Sequence, residues 1–124
     1  MGIRRTVACL LASLLACALC ACLAARDERS AAALRTRRLV GDLSLGTPHA
    51  QELFLLGEPE RTESFRCSAD HDVLFLFYRI APSADPAGAS EYGLDPLAIE
   101  YGRLTGKDSS TYRDVRDRCL KLEP

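Results

Sequence analysis

The sequence predicts an α+β domain with one or two short helices, a small sheet of about three strands and an added C-terminal amphipathic helix. Three stretches carry this expectation. Ser44 to Glu60 reads as a short helix with both ends written into it, Val73 to Ile80 reads as a strand, and Ser109 to Leu122 returns to a helical period. The remaining elements follow from their order along the chain.

The N-terminus comes first. From Thr6 to Ala25 there are 20 uncharged residues, of which only Thr6 and Ser13 are not apolar. Arg4 and Arg5 precede them and Arg26-Asp27-Glu28-Arg29 follows. A basic start, an apolar middle and a small-residue end form an export signal, and the length also suits a single membrane span. Both readings place the rest of the chain outside the cytoplasm, because the arginines stay inside. Cys9, Cys17, Cys20 and Cys22 lie in this segment. Leu19-Cys20-Ala21-Cys22 and Leu14-Leu15-Ala16-Cys17 both resemble the bacterial lipobox, in which the final cysteine becomes the lipidated first residue after cleavage. Cys22 is preferred as the lipidation site, because the apolar run ends just behind it, with Cys17 as the alternative. A cleaved secretory signal and an uncleaved anchor stay open beside the lipoprotein. Residues 1–25 are therefore expected to be a signal peptide with a lipobox or a membrane anchor, residues 26–38 a tether, and residues 39–124 the folded domain.

In the helix, Thr47 is expected to cap the first turn and Pro48 to occupy the first helical position. Ala50, Leu53 and Phe54 fall at i, i+3 and i+4, giving one apolar stripe. Gly57 supplies the left-handed residue after the last turn, and Pro59 prevents continuation. Arg61 to Cys67 is expected to be an edge strand, followed by the polar turn Ser68 to Asp72. Val73 to Ile80, β-branched and aromatic, is the strongest strand. It suits either burial on both faces or a helix against one face. Ala81 to Gly93, with two prolines and two glycines, reads as a long connection. Leu94 to Tyr101 is the next strand, with Leu97, Ile99 and Tyr101 on one face, and Arg103 to Thr105 can begin a return strand. In the last segment Tyr112, Val115, Cys119 and Leu122 form one seam, with Ser109 or Ser110 as cap. Arg113 with Asp117 and Asp114 with Arg118 are i, i+4 pairs on its exposed side.

Composition narrows the function. Beyond Ala25 there are 14 basic and 17 acidic side chains, a net charge of −3, with the basic residues scattered apart from Arg35, Arg37 and Arg38. A nucleic-acid protein needs a strong positive field, so that class is excluded. Cys67 and Cys119 are the two cysteines outside the leader. In an oxidising compartment they can pair across a long loop, and the alternative is two separate buried thiols.

The order of elements and their junctions resemble the SmpA/OmlA, or BamE-like, family of small outer-membrane lipoproteins. The resemblance rests on Leu45-Gly46-Thr47 opening the helix, Leu56-Gly57-Glu58-Pro59 closing it, the aromatic strand with Phe75, Phe77 and Tyr78, and the strand end Ile99-Glu100-Tyr101-Gly102-Arg103-Leu104. It covers about Leu43 to Leu104. The chain departs from the pattern at Thr47, where the family usually has Met, and offers no clear counterpart of the first of the family's two helices. The resemblance implies two helices packed on a three-stranded antiparallel sheet. It also implies a lipid-anchored accessory of outer-membrane protein assembly in the bacterial envelope, facing the periplasm. The same fold occurs in a secreted β-lactamase inhibitor, so a periplasmic or secreted binding module is the alternative.

Chemistry is sparse. His49 and His71 are the two histidines, and neither stands in a Ser/His/Asp or Cys/His arrangement. Cys67 and His71 with Asp70 and Asp72 offer half of a zinc site, and zinc needs four ligands. Glu58, Glu60 and Glu63 read as a solvated acidic face, and no phosphate-binding glycine loop is present. The expectation is a non-enzyme without metal, cofactor or small-molecule substrate. Its partners are expected to be a membrane lipid anchor and outer-membrane assembly proteins, with Phe54 and Leu53 as the contact residues.

Overall fold

The computed structural model describes residues 2–82 and 93–123, so most of the connection expected over Ala81 to Gly93 lies outside the described residues. The chain divides into two compact units, Met1–Ala32 and Ala33–Pro124. Helix α1, Gly2–Asp42, fills the described part of the first and continues into the second. Its apolar stretch is long enough to cross a membrane by length and composition, and none of it is buried. The segment expected as a tether, Arg26 to Arg38, is helical throughout, in keeping with the good helix formers from Ala31 to Arg35. Within the second unit Ala33, Val40 and Leu43 are buried, so the last turns of α1 are part of the folded core. Lys107 closes that helix end by donating to the carbonyls of Val40, Gly41 and Leu43.

The second unit is α+β, with more strands than the three expected. After helix α2, His49–Leu56, come β1, Arg61–Ser68, and β2, His71–Arg79. Then follow β3, Leu94–Glu100, β4, Arg103–Gly106, helix α3, Ser109–Arg118, and β5, Leu120–Leu122. The five strands form one antiparallel sheet in the order β4-β3-β2-β1-β5. The uninterrupted apolar run of β2 is explained by its central place, because helices cover both sheet faces. Leu76 and Tyr78 join Leu97, Ile99, Leu104, Val40 and Leu43 on one face. Val73, Phe75 and Phe77 join Phe65, Ala98 and Val115 on the other. Alternate residues of a strand point to opposite faces, so only a strand sandwiched between layers is apolar at nearly every position.

Three expectations are corrected here. Arg61 to Cys67 is not an edge, because β5 pairs with Ser64, Phe65 and Arg66 on its outer side. The C-terminal helix stops at Arg118 instead of running to Leu122. A disulfide between Cys67 and Cys119 holds that point against β1, and the chain continues extended. Tyr101 is 81 % exposed and does not share the face of Leu97 and Ile99. With φ 52° at Tyr101 and 74° at Gly102, these two residues form the hairpin between β3 and β4. Positive φ at both central positions is what a two-residue hairpin turn of right-handed twist requires.

Local chemistry accounts for the remaining ends. Asp108, not Ser109 or Ser110, caps α3, its carboxylate accepting from the Thr111 N–H at 2.9 Å and from the Ser110 and Thr111 hydroxyls. Pro96 is tolerated in β3 because β4 pairs only with Ala98, Ile99 and Glu100. On α3 the pair Asp114–Arg118 forms, whereas Asp117 is engaged by its neighbour Arg116.

Candidate functional site

The surface of interest begins with α2, whose four successive apolar residues, Leu53 to Leu56, span more than a turn's worth of directions. That run leaves periodicity unable to choose the packed face. In the structure the expected stripe is turned outward. Ala50 is exposed, Leu53 is half-buried and Phe54 is 88 % exposed. The face that meets the sheet carries Glu52 and Leu56 instead. Leu45 and Leu55 are exposed as well. Single exposed apolar residues are ordinary, and a large aromatic at this exposure is the informative one.

Backbone bonds, not a side-chain cap, start this helix. Pro48 is its N-cap residue without a side-chain cap bond, and the Thr47 hydroxyl donates to Ser44 O at 2.6 Å. The expected roles of Thr47 as cap and Pro48 as first helical residue therefore do not hold. The His49 N–H donates to Gly102 O at 2.9 Å, and Leu104 N–H to Thr47 O at 2.9 Å, so β4 anchors the entry. Gly57 ends the helix at φ 75°, its N–H bonded to Leu53 O at 2.9 Å, as its sequence position suggests.

Sequence reasoning missed Glu52. It has no solvent exposure, and neither carboxylate oxygen has a hydrogen-bond partner. Burial disfavours the ionised form and pushes its pKa up to about 7. The signal available was a single acid one turn before Leu56, on the same helical face. Near it the Tyr78 hydroxyl donates to Gly57 O at 2.9 Å, and Tyr78 is pushed to about 12, first by burial and then by the charges of Glu52 and Glu58.

On the other side of the sheet, a shallow cleft of about 330 Å³ is lined by Cys67, His71, Val73, Glu100, Val115, Arg118 and Cys119. His71 Nε2 lies 2.6 Å from Glu100 Oε1, its ring stacks on Tyr101, and the Thr105 hydroxyl donates to the other Glu100 oxygen. His71 is thus a half-buried, oriented group, not a loose surface residue, and His49 is also half-buried. Among the described residues no group of three or more His, Cys, Asp or Glu side chains is placed to hold a metal ion. In the acidic run after α2, Glu58 and Glu60 are exposed as expected, and Glu63 is half-buried. Glu60 pairs with Arg79 at 2.7 Å, and Glu63 accepts from Tyr112 at 2.6 Å and from Lys121 at 2.7 Å.

Cys9, Cys17, Cys20 and Cys22 are free, exposed thiols on α1. The lipidation candidates Cys22 and Cys17 lie in the first unit, and Leu53 and Phe54 in the second. Compared with protein-family models, with curated proteins and with solved structures, the chain matches none.

Proposed function

We propose that this chain is a membrane-anchored lipoprotein of the bacterial envelope, acting by protein–protein contact and not by catalysis. Its lipid is carried on Cys22, or on Cys17 in the alternative, and its folded unit faces the periplasm from the outer membrane. In this reading it is a BamE-like accessory of outer-membrane protein assembly. The observation that carries the reading is Phe54, a large aromatic left 88 % exposed on a short helix that ends in Leu56-Gly57-Glu58-Pro59. Aromatic side chains are enriched where partners bury their contacts. Two further features support it. The end of α1 and α2 precede the meander β1-β2-β3 and pack on one of its faces, the pair of helices that the family resemblance implies. In this arrangement α3 and β5 lie beyond the stretch that carries the resemblance, and β4 begins within it. An apolar helix with exposed leucines throughout also gains from a lipid environment, where its backbone is satisfied internally.

The test is recovery of the tagged full-length chain from detergent-solubilised membranes. Barrel-assembly components are expected to accompany it and to be lost with Phe54→Asp. Recovery of none of them overturns the assembly role. Recovery of a soluble periplasmic partner through the same Phe54 face replaces it with the binding-module reading.

A further inference from the structure

A carboxyl group with no exposure and no hydrogen-bond partner is an uncommon thing to place beneath an eight-residue helix. We propose that α2 is a proton-operated latch, seated on the sheet while Glu52 carries a proton and released at its C-terminal half when Glu52 ionises. The proposal stands independently of the contact role given above to Phe54.

The surroundings of Glu52 offer its charge nothing. One turn later Leu56 packs on the cluster of Val40, Leu43, Leu76 and Tyr78. The titratable and charged groups on this side of the unit come from each neighbouring element. His49 lies one turn earlier on α2, and Tyr78 on β2 is spent on Gly57 O. Asp95, opposite Tyr78 on β3, is itself raised by burial and by Asp108. Arg103 on β4 donates to Gly46 O at 2.9 Å, and Lys107 is committed to the end of α1. Burial is the sole cause acting on Glu52, with no compensating cation among the described residues. An ionised Glu52 must therefore leave the interface to recover its hydration.

The helix is built so that this movement can stay local. Its N-terminal end is fixed by backbone bonds to Gly102 and Leu104, which no titration affects. Beyond it the chain is fixed again where the Glu60 N–H donates to Phe77 O at 2.8 Å. Between those points side chains do the holding: Glu52, Leu56 and the Tyr78 hydroxyl. Gly57, at positive φ with open space around it, supplies the pivot. Release would bare Leu56 on the helix that already exposes Phe54, enlarging the apolar surface of α2.

The experiment is amide hydrogen exchange on the full-length chain in detergent micelles at about pH 5.5 and about pH 8.5, corrected for the intrinsic base catalysis of exchange. The Gly57 N–H, bonded to Leu53 O, is the reporter, and the amides of β2 are the reference. Protection at Gly57 relative to β2 is expected to fall about 30-fold at the higher pH in the wild type, the factor set by the roughly 1.5 pH units between about pH 5.5 and neutrality. In Glu52→Gln it is expected to hold at both. Unchanged protection in the wild type, or an equal fall in Glu52→Gln, overturns the latch. If Glu52→Gln loses protection in β2 and so does not fold, carbon-13 titration of the Glu52 carboxyl in the wild type decides instead. A midpoint near neutrality supports the latch, and one in the ordinary carboxylate range overturns it.

Discussion

Glu63 sits on the α3 face of β1, where burial alone would raise its pKa. Hydrogen bonds from Lys121 and Tyr112, with the charges of Arg61 and Lys121, outweigh that and hold it below the ordinary value. Glu52, buried on the opposite side of the sheet with no such donors, goes the other way, to about 7. The two residues have the same chemistry and differ only in what faces them. The sign for stability follows from proton binding. Between about pH 4.5 and about pH 7 the native state holds a proton on Glu52 that the unfolded chain has lost, so stability falls as pH rises through that window. The full loss is about 3 kcal/mol, at about 1.4 kcal/mol per pH unit. Denaturant midpoints measured at pH 5 and pH 8 are expected to drop in the wild type, and the drop should be absent in Glu52→Gln. Comparing the two chains removes the opposite slope that Glu63 contributes at acid pH.

At the scale of elements, the junction of α3 and β5 depends on one covalent bond. Tyr112 and Val115 fix α3 to the sheet, the Tyr112 ring making edge contacts with Phe65, Phe75 and Phe77 at 5.1 to 6.0 Å. Three residues of β5 are too few to hold an edge alone. The disulfide, closing a separation of 52 residues, places Cys119 against β1 and makes the pairing of Leu120 to Leu122 local. Replacing both Cys67 and Cys119 with Ser is expected to lower stability by about 4 kcal/mol on the chain-entropy account, read by chemical denaturation. Exchange at the β5 amides should rise before that at β2, because the loss is felt first at the unsupported edge. The periodicity of Tyr112, Val115 and Cys119 correctly marked the buried side of this helix. It misplaced the end, since Leu122 continues the helical period and extended pairing is a property of β1, not of the Leu120–Leu122 segment.

For the whole molecule, the proposed lipid anchor sets what the N-terminal helix and the folded unit are each expected to do. The stretch Thr6 to Ala25 is not buried, and by length and composition it is long and apolar enough to cross a membrane. Labelled palmitate is expected to enter the full chain, and Cys22→Ala with Cys17→Ala together should release it from the membrane fraction. Absence of label, or a double variant that stays bound, overturns the lipid anchor. The folded unit instead has cores on both sheet faces, and each face contributes residues from β2 and β3.

The division between sequence and tertiary structure follows from the range of the forces involved. Local patterns determined the α+β class, the helix ending at Gly57, the aromatic strand around Phe75 and Phe77, and the apolar stretch from Thr6 to Ala25. Each depends on residues within one or two turns or on alternation along one strand. Only the assembled structure decided that helices cover both faces, that Arg61 to Cys67 lies inside the sheet, and that Cys67 bonds to Cys119. It also decided which side of α2 faces inward. A run of Leu, Phe, Leu and Leu offers apolar surface in nearly every direction, so its rotation is set by anchoring at Gly102, Leu104 and Tyr78. That rotation buries Glu52 and leaves Phe54 outside, because the long-range backbone bonds at the helix entry hold a face that side-chain polarity alone does not favour.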